Sequence, residues 1–318
     1  MINLKTAPPM PETSILDAIG NTPIIRLGKV IPTGCAEILI KLEYFSPTGS
    51  YKDRMALVMI EEAEKRGDLR PGMTVIEYTG GSTGSSLALV CAVKGYKFKV
   101  VSSDAFAQEK LKTMRAFGAD LFIVPSQDGQ ITPDLVPRMI EQAKKFAAAK
   151  ETYFTYQHYN KDMIKGYEKL GIELLKQVEG SIHAFCGGVG TAGMLMGVGR
   201  VLKEAKSPAR IVALEPATSA LLSRGVAGSH RVEGIGSGFI PPILDKCFYD
   251  EARGIDETEA RQMARRLAKE EGIFVGISTG LNVVGALQLA RELGPGHTVV
   301  TVAVDTGLKY LAGDLYEM

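Results

Sequence analysis

Apolar and polar positions along this chain switch repeatedly between a period of two and a helical period. Residues 37–43, Glu-Ile-Leu-Ile-Lys-Leu-Glu, alternate and read as a strand. A turn cluster of Ser, Pro, Thr and Gly follows, and 55–66 then carry a helical pattern. From there strands over 74–78, 98–102, 120–124 and 152–156 take turns with helices over 87–94, 108–117 and 133–149. The second half repeats the theme, with strands over 181–186, 210–214, 273–277 and 297–305. Helices over 194–206 and 256–271, another after Ser278-Thr279-Gly280 and a short last one fill the gaps, and a short helix over 11–19 precedes everything. Strands alternating with helices predict parallel sheet covered on both faces. The expectation is an α/β fold, two open and mostly parallel sheets flanked by helices, with the active site between them.

Composition narrows the class. A chain of 318 residues, 45% hydrophobic and 23% charged, with 35 glycines, suits a loop-rich soluble α/β enzyme of one large or two smaller domains. A formal net charge of +1 gives no reason to expect nucleic acid or an anionic membrane as partner. No apolar run reaches bilayer length, and the first residues lack the apolar core of a signal peptide. Cys35, Cys91, Cys186 and Cys247 are scattered without metal-ligand spacing, which predicts reduced thiols, a cytoplasmic setting and no metal site.

Four strand-to-helix turns carry the candidate chemistry. The first, Ser46 to Arg54, sets Lys52 at the opening turn of a helix. Arg54 and the helix N-terminus would both favour a neutral amine there, as a Schiff-base lysine requires. The turns at 79–84 and 187–193 are rich in small residues and precede helices, which suits phosphate or carboxylate on free N–H groups. Neither is a P-loop, because no Gly-Lys-[Ser/Thr] follows. Gly188 to Gly193 also matches G-x-G-x-x-G, with Glu215 at the end of the next strand, so a dinucleotide is a rival occupant. That rival leaves Lys52, the 79–84 turn and the turn at Gly276–Gly280 without a role.

Taken together these segments resemble the fold-type II pyridoxal-phosphate enzymes, within the cysteine synthase and cystathionine β-synthase group. The resemblance rests on Gly20-Asn-Thr-Pro-Ile24, Ser46 to Arg54, Thr79 to Gly84, Gln157-His-Tyr-Asn160, Gly190 to Glu204, Gly234 to Pro241, Glu271 to Gly280 and Asp305-Thr-Gly307, collinear over nearly the whole chain. It implies the tryptophan synthase β-subunit-like fold. Residues 1–42 and 155–318 would form a large cofactor-binding domain, and 43–154 a small domain that closes over substrate. It implies pyridoxal 5'-phosphate as cofactor, held by Lys52, which then acts as base at the substrate Cα. Gly190, Thr191, Ala192, Gly193 and Met194 would line the phosphate, Ser278 would face the pyridine nitrogen, and Ser82 would lie by the ring. Thr79, Gly80, Gly81, Ser82, Thr83 and Gln157 would hold the amino-acid substrate. The implied reaction is β-replacement on an activated L-serine such as O-acetylserine, through an aminoacrylate, in a homodimer. Net β-elimination of the dehydratase or desulfhydrase type is the alternative. A non-catalytic module that binds a partner protein in the same cleft is a remoter one.

Departures from the family pattern fall in both the substrate turn and the phosphate turn. Thr79-Gly80-Gly81-Ser82-Thr83-Gly84 stands where Thr-Ser-Gly-Asn-Thr-Gly is usual, and the phosphate turn carries Ala192 and Met194 where Gly and Thr are usual. Gly80 and Ser82 are expected to leave extra room for a different or larger amino acid.

Overall fold

A computed structural model describes residues 13–129 and 134–317. Its first sheet has six strands: β1 (Ile24–Arg26), β2 (Glu37–Leu42), β7 (Ala184–Gly188), β8 (Arg210–Pro216), β9 (Glu251–Ile255) and β10 (Thr298–Ala303), in the order β1-β2-β10-β7-β8-β9. Only the β1–β2 pairing is antiparallel. The second sheet is wholly parallel and runs β5 (Asp120–Val124), β4 (Lys97–Ser103), β3 (Thr74–Tyr78), β6 (Thr152–Phe154). The central strand β10, Thr-Val-Val-Thr-Val-Ala, is buried at every position, as a strand covered on both faces must be.

The nine helices among the described residues are α1 (Lys52–Arg66), α2 (Ser82–Lys94), α3 (Gln108–Ala116), α4 (Leu135–Ala147), α5 (Met163–Gln177), α6 (Gly193–Glu204), the four-residue α7 (Leu221–Arg224), α8 (Glu257–Arg266) and α9 (Ile277–Leu293). One core joins the two sheets. Val75, Phe98 and Val100 from the four-stranded sheet and Phe185, Ile211 and Val300 from the six-stranded one share it with Met55 and Met59 of α1, Leu87 of α2, Leu170 of α5 and Val198 of α6. A second core lies under α8 and α9 against the far face of the larger sheet, and a third under α4. Helices are therefore sandwiched between the sheets, and the C-terminal ends of β3, β7 and β10 open toward one region.

Several elements differ from expectation. Residues 273–277 form no strand: Val275 makes a single bridge to Thr306, and the chain turns at once into α9. The helix after β3 starts at Ser82 instead of residue 87, so half of the small-residue turn is its first turn. The strand expected at 181–186 is shifted to Ala184–Gly188, and the helix expected over 256–271 ends as a π-helical turn, Leu267–Glu271. Strands β1 and β9 and helix α5 add to the expected set. The starts of the helices expected at 11 and 133 lie outside the described residues.

Candidate active site

The turn before α1 is built by its own side chains. The Asp53 carboxylate accepts the Thr48 backbone N–H at 2.8 Å and the Thr48 hydroxyl at 2.6 Å, which folds residues 48–53 back on themselves. Gly49 sits at φ +70, where a Cβ would lie 2.6 Å from the Thr306 side chain, so glycine is required. Thr306 donates its N–H to Gly49 O, and Tyr51 donates to Val304 O, which sews the turn to the end of β10. Lys52 is thereby carried beside Asp305.

Lys52 is 6% exposed. Burial lowers its amine to about 8, with the Asp305 carboxylate opposing that shift. Arg54, expected to assist from two residues away, points elsewhere. Its guanidinium donates to Glu43 at 2.6 and 2.8 Å and to Glu173 at 2.7 and 2.8 Å, and Lys41 meets Glu173 at 2.7 Å. Desolvation, and no neighbouring cation, holds the Lys52 amine down.

Lys52 faces a cavity of ≈ 660 Å³. Thr79, Gly80, Gly81, Ser82 and Thr83 from the end of β3, Gln157, Gly190, Thr191 and Ser278 line it as well. Thr83 donates its hydroxyl to Gln157 Oε1 at 2.7 Å, and Gln157 Nε2 donates to Tyr78 O at 3.0 Å, which fixes that amide. Ala192, Gly193 and Met194 put no side chain into the cavity. Ala192 is the N-cap of α6 at φ +68 and makes no side-chain cap bond. The Met194 side chain turns into the core toward Gly187, leaving only its backbone at the helix N-terminus.

Extra room at Gly80 is absent, contrary to expectation. A Cβ there would lie 2.2 Å from the Phe106 ring, so an aromatic side chain fills the space. Ser82 is not free either. Its hydroxyl meets Asp305 Oδ2 at 3.3 Å and Lys309 Nζ at 3.2 Å, and Tyr310 donates to the same Asp305 oxygen at 2.8 Å. Glu215, the acid a dinucleotide would need for its ribose, is fully engaged. It accepts the Leu222 and Ser223 N–H groups and the Ser223 hydroxyl at 2.7–2.9 Å, capping α7 outside the cavity.

Several lining residues had no role assigned from sequence: Tyr78, Phe106, Lys110, His158, Glu233, Ser237 and Asp305. Lys110 of α3 pairs with Glu233 of the 228–239 loop across the cavity. His158, Ser237 and Asp305 lie inside the segments Gln157–Asn160, Gly234–Pro241 and Asp305–Gly307, so sequence marked their neighbourhoods without their parts.

Fold and site define a class: a two-sheet α/β enzyme with a buried lysine of lowered basicity facing a cavity ringed by glycine-rich βα turns. Residues 15–305 match the family model described as pyridoxal-phosphate dependent enzyme, and the chain belongs to that family. It is 42% identical over 309 residues to a cysteine synthase of Staphylococcus aureus, covering 96% of this chain and 97% of that one. Its fold is similar to that of a cysteine synthase (OASS) from Entamoeba histolytica, with TM-score 0.92, 34% identity and coverage of 100% and 94%. An O-acetylserine dependent cystathionine β-synthase from Helicobacter pylori is similar at TM-score 0.89 and 33% identity, over 96% and 99% of the two chains.

The cavity suits the family's cofactor. Lys52 offers an amine at about 8. At Gly190 a Cβ would lie 2.2 Å from Gly234 O, so only a bare backbone passes between the 190–194 turn and the 234 loop. The α6 N-terminus is free of a side-chain cap, as an anion site requires. Asp305 Oδ1, buried and lining the cavity, lacks a partner within the protein.

Proposed function

We propose that this chain catalyses β-replacement on O-acetyl-L-serine, exchanging the acetoxy group for a sulfur nucleophile in the manner of a cysteine synthase. The buried Lys52 amine facing the cavity carries this reading, and the cysteine synthase relatives support it. Pyridoxal phosphate, when bound, supplies the electron sink that stabilises negative charge at the substrate Cα. Lys52 Nζ anchors the cofactor and afterwards removes the Cα proton; an amine lowered to about 8 has a far larger neutral fraction near neutral pH than an ordinary lysine, and that fraction can accept it. The N–H groups of residues 190–194 hold the phosphate at the α6 N-terminus. Ser278 offers a hydroxyl to the ring nitrogen, which leaves that nitrogen less protonated than a carboxylate would. Thr79–Thr83 and the clamped Gln157 receive the substrate carboxylate on N–H and hydroxyl donors.

The body around the four-stranded sheet, residues 43–154, is assigned as the part that closes over substrate, and residues 1–42 with 155–318 as the part that holds the cofactor. The location of all four strands of the smaller sheet within 74–154 supports the division. A homodimer and a cytoplasmic setting belong to the same reading, in keeping with four free cysteines. Sedimentation of the purified protein tests the dimer.

The direct test is a visible spectrum of the purified protein, followed by borohydride reduction and peptide mapping. A yellow band whose reduced adduct maps to Lys52 is expected, and Lys52→Ala removes both. O-acetylserine with sulfide then yields cysteine. A colourless protein after addition of pyridoxal phosphate, or pyruvate as the product with sulfide present, rules the reading out.

A further inference from the structure

Three polar side chains on the wall of the cavity are linked in a row. Tyr78, at the end of β3, brings its hydroxyl to 2.6 Å from His158 Nδ1, with the two rings stacked at 5.8 Å and 16°. His158 Nε2 lies 3.2 Å from Ser237 Oγ. Phe239 closes the outer side of the imidazole at 5.1 Å. All four residues line the cavity that holds Lys52, and His158 directly follows Gln157, the amide assigned to the substrate carboxylate.

The row has a direction. Burial keeps the Tyr78 phenol protonated, so its O–H donates and Nδ1 accepts. Burial, with the nearby Lys52 charge, holds the imidazole neutral by lowering it to about 4. The ring's one proton therefore resides on Nε2 and donates to Ser237 Oγ. Ser237 then has its own O–H left over, and it is only half-buried on the cavity side. Each bond polarises the next, which makes the terminal hydroxyl a better donor than an isolated serine.

We propose that Ser237 donates this hydrogen bond to the oxygen that leaves the substrate Cβ, with His158 and Tyr78 as the positioning residues that orient and polarise it. The assignment rests on the β-replacement reading above. No proton need be transferred: as the Cβ–O bond breaks, its electron pair stays on the leaving oxygen, and the fixed donor stabilises the growing negative charge. The site is thereby matched to substrates whose leaving group departs as an oxygen anion, an acyloxy group being the case at hand.

The test compares two substrates in the holoenzyme, O-acetyl-L-serine and β-chloro-L-alanine, whose departing chloride is a much weaker hydrogen-bond acceptor. Ser237→Ala is expected to lower kcat/KM for O-acetylserine by roughly 10²-fold, the scale of one lost oxyanion donor. The ratio of the two kcat/KM values should shift by at least about tenfold against O-acetylserine. Tyr78→Phe and His158→Phe should shift the ratio in the same direction, Tyr78→Phe the least because it acts through two bonds. Variants that lose both substrates in equal proportion, or neither, would overturn the assignment. Failure of the unaltered holoenzyme to turn over either substrate would remove the β-replacement reading, and this assignment with it.

Discussion

Gly80 illustrates how one position depends on a partner far away in sequence. Its missing side chain is answered by Phe106, whose ring stands 2.2 Å from where a Cβ would be. Adding a hydroxymethyl group there forces the ring or the turn to move, and overpacking of this kind costs about 1–3 kcal/mol. Gly80→Ser is therefore expected to lower the thermal midpoint and raise KM for the amino acid. In the double variant with Phe106→Ala much of the loss should return, and a double-mutant cycle measures that coupling. Additive losses would mean that the ring does not occupy the space in solution.

At the scale of elements, strand β3 delivers the substrate turn and is held at its end by an unusual group. Glu77 is fully buried and accepts the Tyr78 N–H at 2.8 Å, the Gln157 N–H at 2.9 Å and the Thr155 hydroxyl at 2.7 Å. It thereby ties the end of β3 to the segment after β6 that carries Gln157 and His158. Burial raises its carboxyl to about 7 against these hydrogen bonds. A carboxyl raised above its unfolded value, about 4.3, favours the fold when protonated. That contribution is complete below about pH 4.3 and is lost as pH rises through about 7. Glu77→Gln should flatten the fall in thermal midpoint between pH 5 and 8, a range set by the same linkage; an unchanged slope would refute this role. The helix α5 was legible in principle, since Met163, Gly166, Tyr167, Leu170, Gly171 and Leu174 recur at helical spacing and are all buried. Residues 273–277 misled because Ile273, Val275 and Ile277 alternate and are buried, yet they pack beneath α8 and α9 with no strand alongside except one bridge.

For the whole molecule, the cluster of Lys41, Glu43, Arg54 and Glu173 joins β2 and the turn after it to α1 and α5. Two cations face two carboxylates with short contacts throughout. Burial would raise Glu173, but hydrogen bonds from Arg54 and Lys41 outweigh it and hold the group at about 2. Removing one member leaves an unpaired buried charge, at a cost of about 3–5 kcal/mol. Arg54→Met should lower the urea midpoint accordingly, while the Lys52 amine, which does not depend on Arg54, should keep its reactivity profile with pH. A shifted profile would restore Arg54 as the source of the lysine's low value.

The sequence by itself determined the alternation of elements, the two-sheet class, the family, and the four turns that converge on one cavity. Those features are local: period, turn chemistry and motif spacing are properties of short stretches, and parallel sheets bring the C-terminal ends of strands together. Tertiary structure alone decided which side chains meet. Phe106 in the space beside Gly80, Arg54 turned toward Glu43 and Glu173, and the row from Tyr78 through His158 to Ser237 all join residues distant in sequence. Burial also belongs to the assembled molecule. The Lys52 amine and the Glu77 carboxyl take their values from the loss of water around them, and no stretch of sequence shows how much water the finished fold excludes.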